Sequence, residues 1–217
     1  MGTAYDAVLF DNDGVLTTPT DRTVLFDAMR EAFRAVGVSE PTDDHVRTLV
    51  RPTVSSLRQI ATGHGLEPER LWRERERAAI DAQLEQLRSG QKRPYPDASA
   101  LEAIETPTGI VSNNQHETIE NILEYTDVGA FDVWYGREPT LQGIERKKPQ
   151  PYYLERAIDE LDASNPLYVG DSQVDVEAAN AVGIDAAFVR RDHRLDYALS
   201  SDPTYEIESL EAVPELL

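Results

Sequence analysis

The chain has 217 residues, with 40 Asp plus Glu against 21 Lys plus Arg, a formal net charge of −19 and no cysteine. That length suits one ordinary domain, or a core with one insertion, and can bury a real core. The missing cysteines exclude disulfide and thiolate chemistry, and so acidic a surface repels phosphate backbones, which argues against nucleic acid as a partner. The first periodic segment, residues 5–10, is apolar and rich in β-formers (Val8, Leu9, Phe10). It stops at Asp11-Asn12-Asp13-Gly14, which predicts a buried strand followed by a polar loop. From Asp21 to about Gly90 the pattern is helical. Leu25, Met29, Ala32, Phe33 and Val36 recur at three and four, with Gly37 as a C-cap. Further helices are predicted over 42–50, 54–61 and 68–88, and no strand candidate interrupts this stretch. The basic run at 70–77 is interleaved with Glu74 and Glu76, and so reads as a solvated helix face.

From Tyr95 onward strands and helices alternate. Residues 108–112, 131–135, 167–169 and 186–189 are short apolar runs suited to buried parallel strands. Helical patterns lie between them at 97–104, 117–125, 151–161 and 174–182, and the tail 206–217 has room for a last short helix. This order predicts an α/β fold: a doubly wound, Rossmann-like parallel sheet core with an inserted all-helical cap domain. The expected division is residues 1–17 and 92–217 for the core and 18–91 for the cap.

No apolar run reaches the ~18–20 residues that span a bilayer. The amino end, Met1-Gly2-Thr3-Ala4-Tyr5-Asp6, lacks the basic-then-apolar order of a signal peptide. A soluble, cytoplasmic protein with no membrane partner is expected, and oligomeric state is not readable. Lysine occurs only at 92, 147 and 148 while arginine is plentiful. An excess of carboxylates with few lysines is the pattern of proteins from salt-accumulating, halophilic organisms, in which high ionic strength screens self-repulsion.

In open parallel sheets ligands bind beyond the carboxyl ends of the strands. There the chain places Asp11, Asn12, Asp13 and Gly14; Ser112, Asn113 and Asn114; and Gly170, Asp171, Ser172 and Asp175. Lys148-Pro149 opens a further helix, and Lys147 is taken as surface. Clustered carboxylates repel unless a cation joins them. A hard divalent ion is the natural remedy, and Mg²⁺ suits an incomplete shell of oxygens. Asp11 and Asp171 are the ligand candidates, with the Asp13 backbone carbonyl, and Asp175 acts through water or orients the shell. Taken singly, the same aspartates also fit helix caps or turns.

Asp11-Asn12-Asp13-Gly14-Val15-Leu16-Thr17 resembles the first signature of the haloacid dehalogenase superfamily, D-x-D-G-[TV]-L-[TVL]. A strand ending in Ser112, the pair Lys148-Pro149 and Gly170-Asp171-Ser172-Gln173-Val174-Asp175 are similar to the second, third and fourth signatures, in order. The helical stretch resembles the cap of the phosphoglycolate phosphatase and β-phosphoglucomutase branch. The resemblance implies a Mg²⁺-dependent phosphatase acting on a small phosphate ester. Asp11 is then the nucleophile that forms an aspartyl phosphate, and Asp13 the acid and then the base. Ser112 and the Asn113 backbone N–H hold a phosphoryl oxygen, Lys148 offsets charge, and backbone N–H groups of Asn12 and Asp13 complete the anion cradle. Arg51 of the cap is expected either to grip a second anionic group of the substrate or to be a solvated helix-end arginine. Dehalogenases of this fold need no acid at the position of Asp13, so Asp13 favours phosphoryl transfer. The alternatives are a phosphomutase with the same residues and a non-catalytic binding protein. The four histidines lie at no ligand spacing, and Trp72 and Trp134 are read as packing.

Overall fold

The structure, a computed structural model, describes residues 4–217. Met1, Gly2 and Thr3, on which the reading of the amino end partly rests, lie outside the described residues. Strand β1 (Ala7–Phe10) is buried along its whole length. It lies between β2 (Thr108–Gln115) and β4 (Pro166–Gly170), pairing in parallel with both, Phe10 opposite Ile110 on one side and Val169 on the other. With β3 (Val133–Arg137), β5 (Asp185–Val189) and β6 (Tyr205–Ile207) the order is β3-β2-β1-β4-β5-β6, all parallel. The direction of winding reverses between β1 and β4, and that switch point is where such sheets bind ligands.

The alternation of side chains along each strand explains the two layers. On one face Val8, Phe10, Ile110, Leu167 and Val169 meet Ile119 and Ile122 of α5 (His116–Tyr125) and the carboxy-terminal Leu210 and Val213. On the other, Leu9, Val111, Tyr168 and Phe188 meet Tyr153, Leu154 and Ala157 of α7 (Tyr152–Glu160) and Val176 and Ala179 of α8 (Gln173–Val182). Each fully buried large side chain contributes roughly 1.5–3 kcal/mol. Among the described residues no helix is long and apolar enough to cross a membrane.

Four helices follow β1: α1 (Arg22–Ala35), α2 (Asp43–Val50), α3 (Val54–Gly63) and α4 (Pro68–Arg88). Their starts are set by local chemistry. Asp21 accepts from Thr23 N, Thr42 from His45 N, and Thr53 and Ser56 form a reciprocal capping box, while Pro68 opens α4. Met29, Phe33, Leu49, Leu57, Leu71 and Trp72 make a separate apolar cluster, joined from outside by Ile144. The helical insertion expected after the first strand is therefore present.

Several expected elements differ. The helix expected at 97–104 is a 3-10 helix, Pro96–Ala103, whose buried Ala98 and Leu101 are three apart, as three residues per turn requires. The strand expected at 131–135 is shifted to Val133–Arg137, at the sheet edge, where Trp134 is 37% exposed rather than packed. The helix α6 (Leu141–Arg146), capped by Thr140, and strand β6 were not expected. The tail carries a 3-10 turn (Leu210–Ala212) and α9 (Val213–Leu216).

Candidate active site

The carboxyl ends of three strands meet at the switch point with the turn between α6 and α7. This turn holds Lys148, which does not open a helix as expected, since α7 starts only at Tyr152. Asp11 follows β1, its N–H donating to Val169 O at 2.9 Å, which draws the β1 loop onto β4. Gly14, at φ +87°, lets the loop turn back: a Cβ there would stand 2.2 Å from Asp171 Oδ2. Gly170 is required in the same way, since its Cβ would stand 2.2 Å from that of Asp175. These two glycines bring Asp11, Asp171 and Asp175 together. All three are buried, with one oxygen of each within 4.8 Å of the others.

Lys148 is the common counter-ion. Its Nζ lies 2.9 Å from Asp11 Oδ1 and 2.7 Å from Asp175 Oδ1, and donates to Val111 O at 2.8 Å and Tyr168 OH at 2.5 Å. The lysine is itself held by Asn113, whose Oδ1 accepts from Lys148 N at 2.8 Å and whose Nδ2 donates to Lys148 O at 3.0 Å. The Asn113 side chain is thus spent on Lys148. Ser112 is buried at the end of the apolar part of β2, its Oγ accepting from Asn114 N at 3.3 Å.

The electrostatics follow from burial. Desolvation pushes the Asp11 carboxyl up to about 7; Lys148 opposes this, and Asp175 and Asp171 add to it. Burial alone would lower Lys148, but Asp11 and Asp175 outweigh it and leave its ammonium above the usual lysine value. Burial would likewise raise Asp171, yet His193 and Arg194 hold it below the ordinary carboxylate range.

Those two partners were not expected. His193 Nε2 lies 2.8 Å and Arg194 Nε 3.0 Å from Asp171 Oδ2, both from the 3-10 turn after β5 (Asp192–Arg194). Spacing held no signal for them, because they reach Asp171 only through the crossover from β4 to β5. Asp13 stands apart from the three-carboxylate group, its Oδ1 accepting from Asn12 Nδ2 at 2.7 Å and paired with Lys92 Nζ. Lys92, unremarkable in sequence, is fully buried. Asn12 is also buried, its carbonyl accepting from the N–H groups of Val15, Leu16 and Thr17. Arg51 is exposed at the end of α2, close enough to depress Lys147. Lys147 is not a surface residue: it is half-buried and donates to Pro52 O at 3.0 Å.

A divalent cation fits this donor set. Asp11 Oδ1 is buried and accepts no aligned hydrogen bond among the described residues, its approach to Lys148 being an ion pair. Both donors to Asp171 meet Oδ2, which leaves Oδ1 for a cation. Asp175 differs. Oδ2 accepts from Ser172 N and Oγ while Oδ1 faces Lys148, so it orients the group from behind.

A family model described as haloacid dehalogenase-like hydrolase matches residues 5–183. The chain is 27% identical to (S)-2-haloacid dehalogenase H-109 of Pseudomonas putida over 124 residues, 54% of each chain. It is 30% identical to the phosphoglycolate phosphatase of Neisseria gonorrhoeae over 132 residues, 57% of this chain and 54% of that one. The chain thus spans about half the length of the curated relatives it matches. The structure of CbbY from Rhodobacter sphaeroides in complex with phosphate superposes with a TM-score of 0.71 over 96% of both chains at 17% identity, a likeness of fold.

Proposed function

The chain belongs to the haloacid dehalogenase-like hydrolase family, and from that premise we propose that it hydrolyses a small phosphate monoester by way of an aspartyl phosphate on Asp11. The observation that carries the reading is Asp13, a second carboxylate two residues beyond Asp11 and outside the three-carboxylate group. Displacement of halide from carbon calls for no acid, since halide leaves unprotonated. An ester oxygen leaves far faster with a proton, and Asp13 is the group to give it.

In this reading the Asp11 carboxylate attacks phosphorus while the P–O ester bond breaks, and Asp13 protonates the departing oxygen. Asp13 then takes a proton from the water that attacks the phosphoryl group, which regenerates Asp11 and releases phosphate. Lys148 neutralises part of the charge between Asp11 and the phosphoryl oxygens, held in place by Asn113. Ser112 Oγ donates to a phosphoryl oxygen, beside the backbone N–H groups of Asn12, Asp13 and Asn113. Mg²⁺, held by Asp11, Asp171 and the Asp13 carbonyl with Asp175 behind them, would supply the remaining positive charge that brings an anionic nucleophile to an anionic substrate. Residues 18–91 form the cap on a core that takes in the described residues 4–17 together with 92–217. Arg51, with Lys147 nearby, is its contribution to a second anionic group of the substrate. The phosphoglycolate phosphatase relative and the phosphate complex of CbbY support the substrate class.

The test is phosphate release from phosphoglycolate, glycerol phosphate and sugar monophosphates with and without Mg²⁺, run alongside Asp11→Asn. Release that needs Mg²⁺ and disappears in Asp11→Asn is the expected result. Halide release from a 2-haloacid, with every ester untouched, would sink the proposal. Isomerisation of a sugar phosphate only after addition of a bisphosphate primer would replace hydrolysis by mutase chemistry.

A further inference from the structure

Lys92 is one of three lysines in the chain, and its side chain is only 1% exposed. A buried ammonium persists only where partners compensate for lost water, so its partners are informative. Nζ pairs with Asp13 Oδ1, donates to Thr18 O at 3.1 Å and reaches Thr20 Oγ1 at 3.4 Å. All three belong to the segment leaving β1 for α1, whereas Lys92 lies on the segment returning from α4. The two segments are bound side by side. Thr18 N donates to Arg93 O at 2.9 Å, Arg93 N to Thr18 Oγ1 at 3.2 Å and Tyr95 N to Leu16 O at 2.9 Å. Thr20 in turn reaches Gln83 of α4, and Gln83 reaches Gln115 at the end of β2. Lys92 therefore sits where both connections between the helical insertion and the sheet cross.

Its effect on Asp13 is directional. Lys92 Nζ and Asn12 Nδ2 both address the same oxygen, Oδ1. An oxygen that accepts two hydrogen bonds is the carbonyl-like oxygen of a carboxylic acid, so a proton carried by Asp13 must sit on Oδ2. The Asp13 side chain is 30% exposed, against 1% for Lys92, so the carboxyl is gripped on its buried side and open on the other.

We propose that Lys92 is a positioning residue for Asp13: its buried ammonium fixes Oδ1 and so presents Oδ2, with its proton, to the departing oxygen of the substrate, and it ties that orientation to the crossing of the two connections. The inference rests on the reading of Asp13 as acid and base. It separates two kinds of substrate. An alkyl phosphate must be protonated as its P–O bond breaks. p-Nitrophenyl phosphate expels a stable phenolate without a proton.

The experiment compares kcat/KM for Lys92→Met, Lys92→Arg, Asp13→Asn and the double variant Lys92→Met/Asp13→Asn. That ratio reads only the steps up to departure of the ester oxygen and not the later attack of water on the common aspartyl phosphate. The substrates are the alkyl ester of the panel above that is hydrolysed fastest and p-nitrophenyl phosphate, with melting curves as a fold control. Lys92→Met is expected to lower kcat/KM on the alkyl ester by about 100-fold, the low end for loss of a general acid. On p-nitrophenyl phosphate the loss should stay within about threefold on the same grounds. Lys92→Arg should recover part of the alkyl-ester rate, and the double variant should be no slower than Asp13→Asn alone. Equal losses on both esters, or losses that add in the double variant, would overturn the proposal and leave Lys92 a structural cation. If Asp13→Asn itself fails to separate the two esters, the acid–base reading falls and takes this proposal with it. Should Lys92→Met not fold, Lys92→Gln measured in the same way decides.

Discussion

The charge at Lys148 shows how far one residue can carry a site. Its ammonium faces Asp11 and Asp175 at once, at 2.9 and 2.7 Å, and both carboxylates are buried. Removing one partner of a buried ion pair costs about 3–5 kcal/mol, because the other is left charged without compensation. Asp11 already stands at about 7, so it can escape part of that cost by taking up a proton. Lys148→Met is therefore expected to cost about 3 kcal/mol, the low end of that range. A shift of the urea midpoint at constant slope measures it, and a midpoint within error of the parent would show that the carboxylates do not depend on the lysine. The residues around this one differ in how readable they were. Asp11 and Asp171 follow strands directly and Ser112 closes the apolar run of β2, places that hydrophobic pattern marks in sequence. Lys148 was marked by the proline after it, although it lies in the turn before α7 rather than at a helix start. Lys92 reaches Asp13, and His193 and Arg194 reach Asp171, from other segments of the chain, and only the course of the fold brings them there. Asn113 belonged to the readable set, but its side chain binds Lys148, a use that sequence did not reveal.

At the scale of an element, the turn from α6 into Lys147 and Lys148 joins the sheet to the helical insertion. Ile144 of α6 enters the apolar cluster of α1 to α4, and Lys147 Nζ donates to Pro52 O. Lys147 is depressed to about 8, first by burial and then by Arg137, Arg75 and Arg51; Glu76 pairs with both Arg75 and Arg137 but not with the lysine. Between about 8 and the ordinary lysine value of 10.5 the unfolded chain binds the proton more often than the folded one, so stability from this group rises with pH. Below about pH 8 the full repulsion is present. Lys147→Gln is thus expected to melt above the parent at pH 7, with the difference shrinking between pH 8 and pH 10. A difference that does not change with pH would show that Lys147 carries no such repulsion. The element itself was missed in the sequence because its six residues are too few for a helical period to register against Gly143 and the flanking charges. Strand β6 is three residues long and paired on one side only, and it was missed for the same reason. The extent of the long helix α4 was legible, since 21 residues repeat the period several times and Pro68 marks its start. Its charged stretch was not: Arg75 and Glu76, expected on a solvated face, are buried and paired with each other.

For the whole molecule the governing quantity is the net charge of −19. The alternation of strand and helix was enough to predict the doubly wound sheet, because two faces of buried strands each demand a helical layer. Charge does not enter that argument, but it decides under what conditions the fold persists. The ion pairs at the site, Lys148 with Asp11 and Asp175 and Lys92 with Asp13, are buried on the lysine side and little screened by salt. The exposed carboxylates repel one another through water, and that repulsion is greatest in the compact state. At 0.01 M salt the screening length is about 30 Å and spans a domain of this size, whereas at 1 M it is about 3 Å and repulsion is confined to immediate neighbours. Melting temperature is therefore expected to rise steadily from dilute buffer to molar KCl. Sodium chloride and potassium chloride should act alike, because screening does not depend on which monovalent cation is present. The control is a variant in which several exposed glutamates of α4 and its neighbours, such as Glu69 and Glu85, are replaced by glutamine: it should melt higher than the parent in dilute buffer and show a weaker response to salt. A parent that melts at the same temperature in dilute buffer and in molar KCl would show that this surface tolerates its own charge, and would remove the basis for reading the composition as an adaptation to salt.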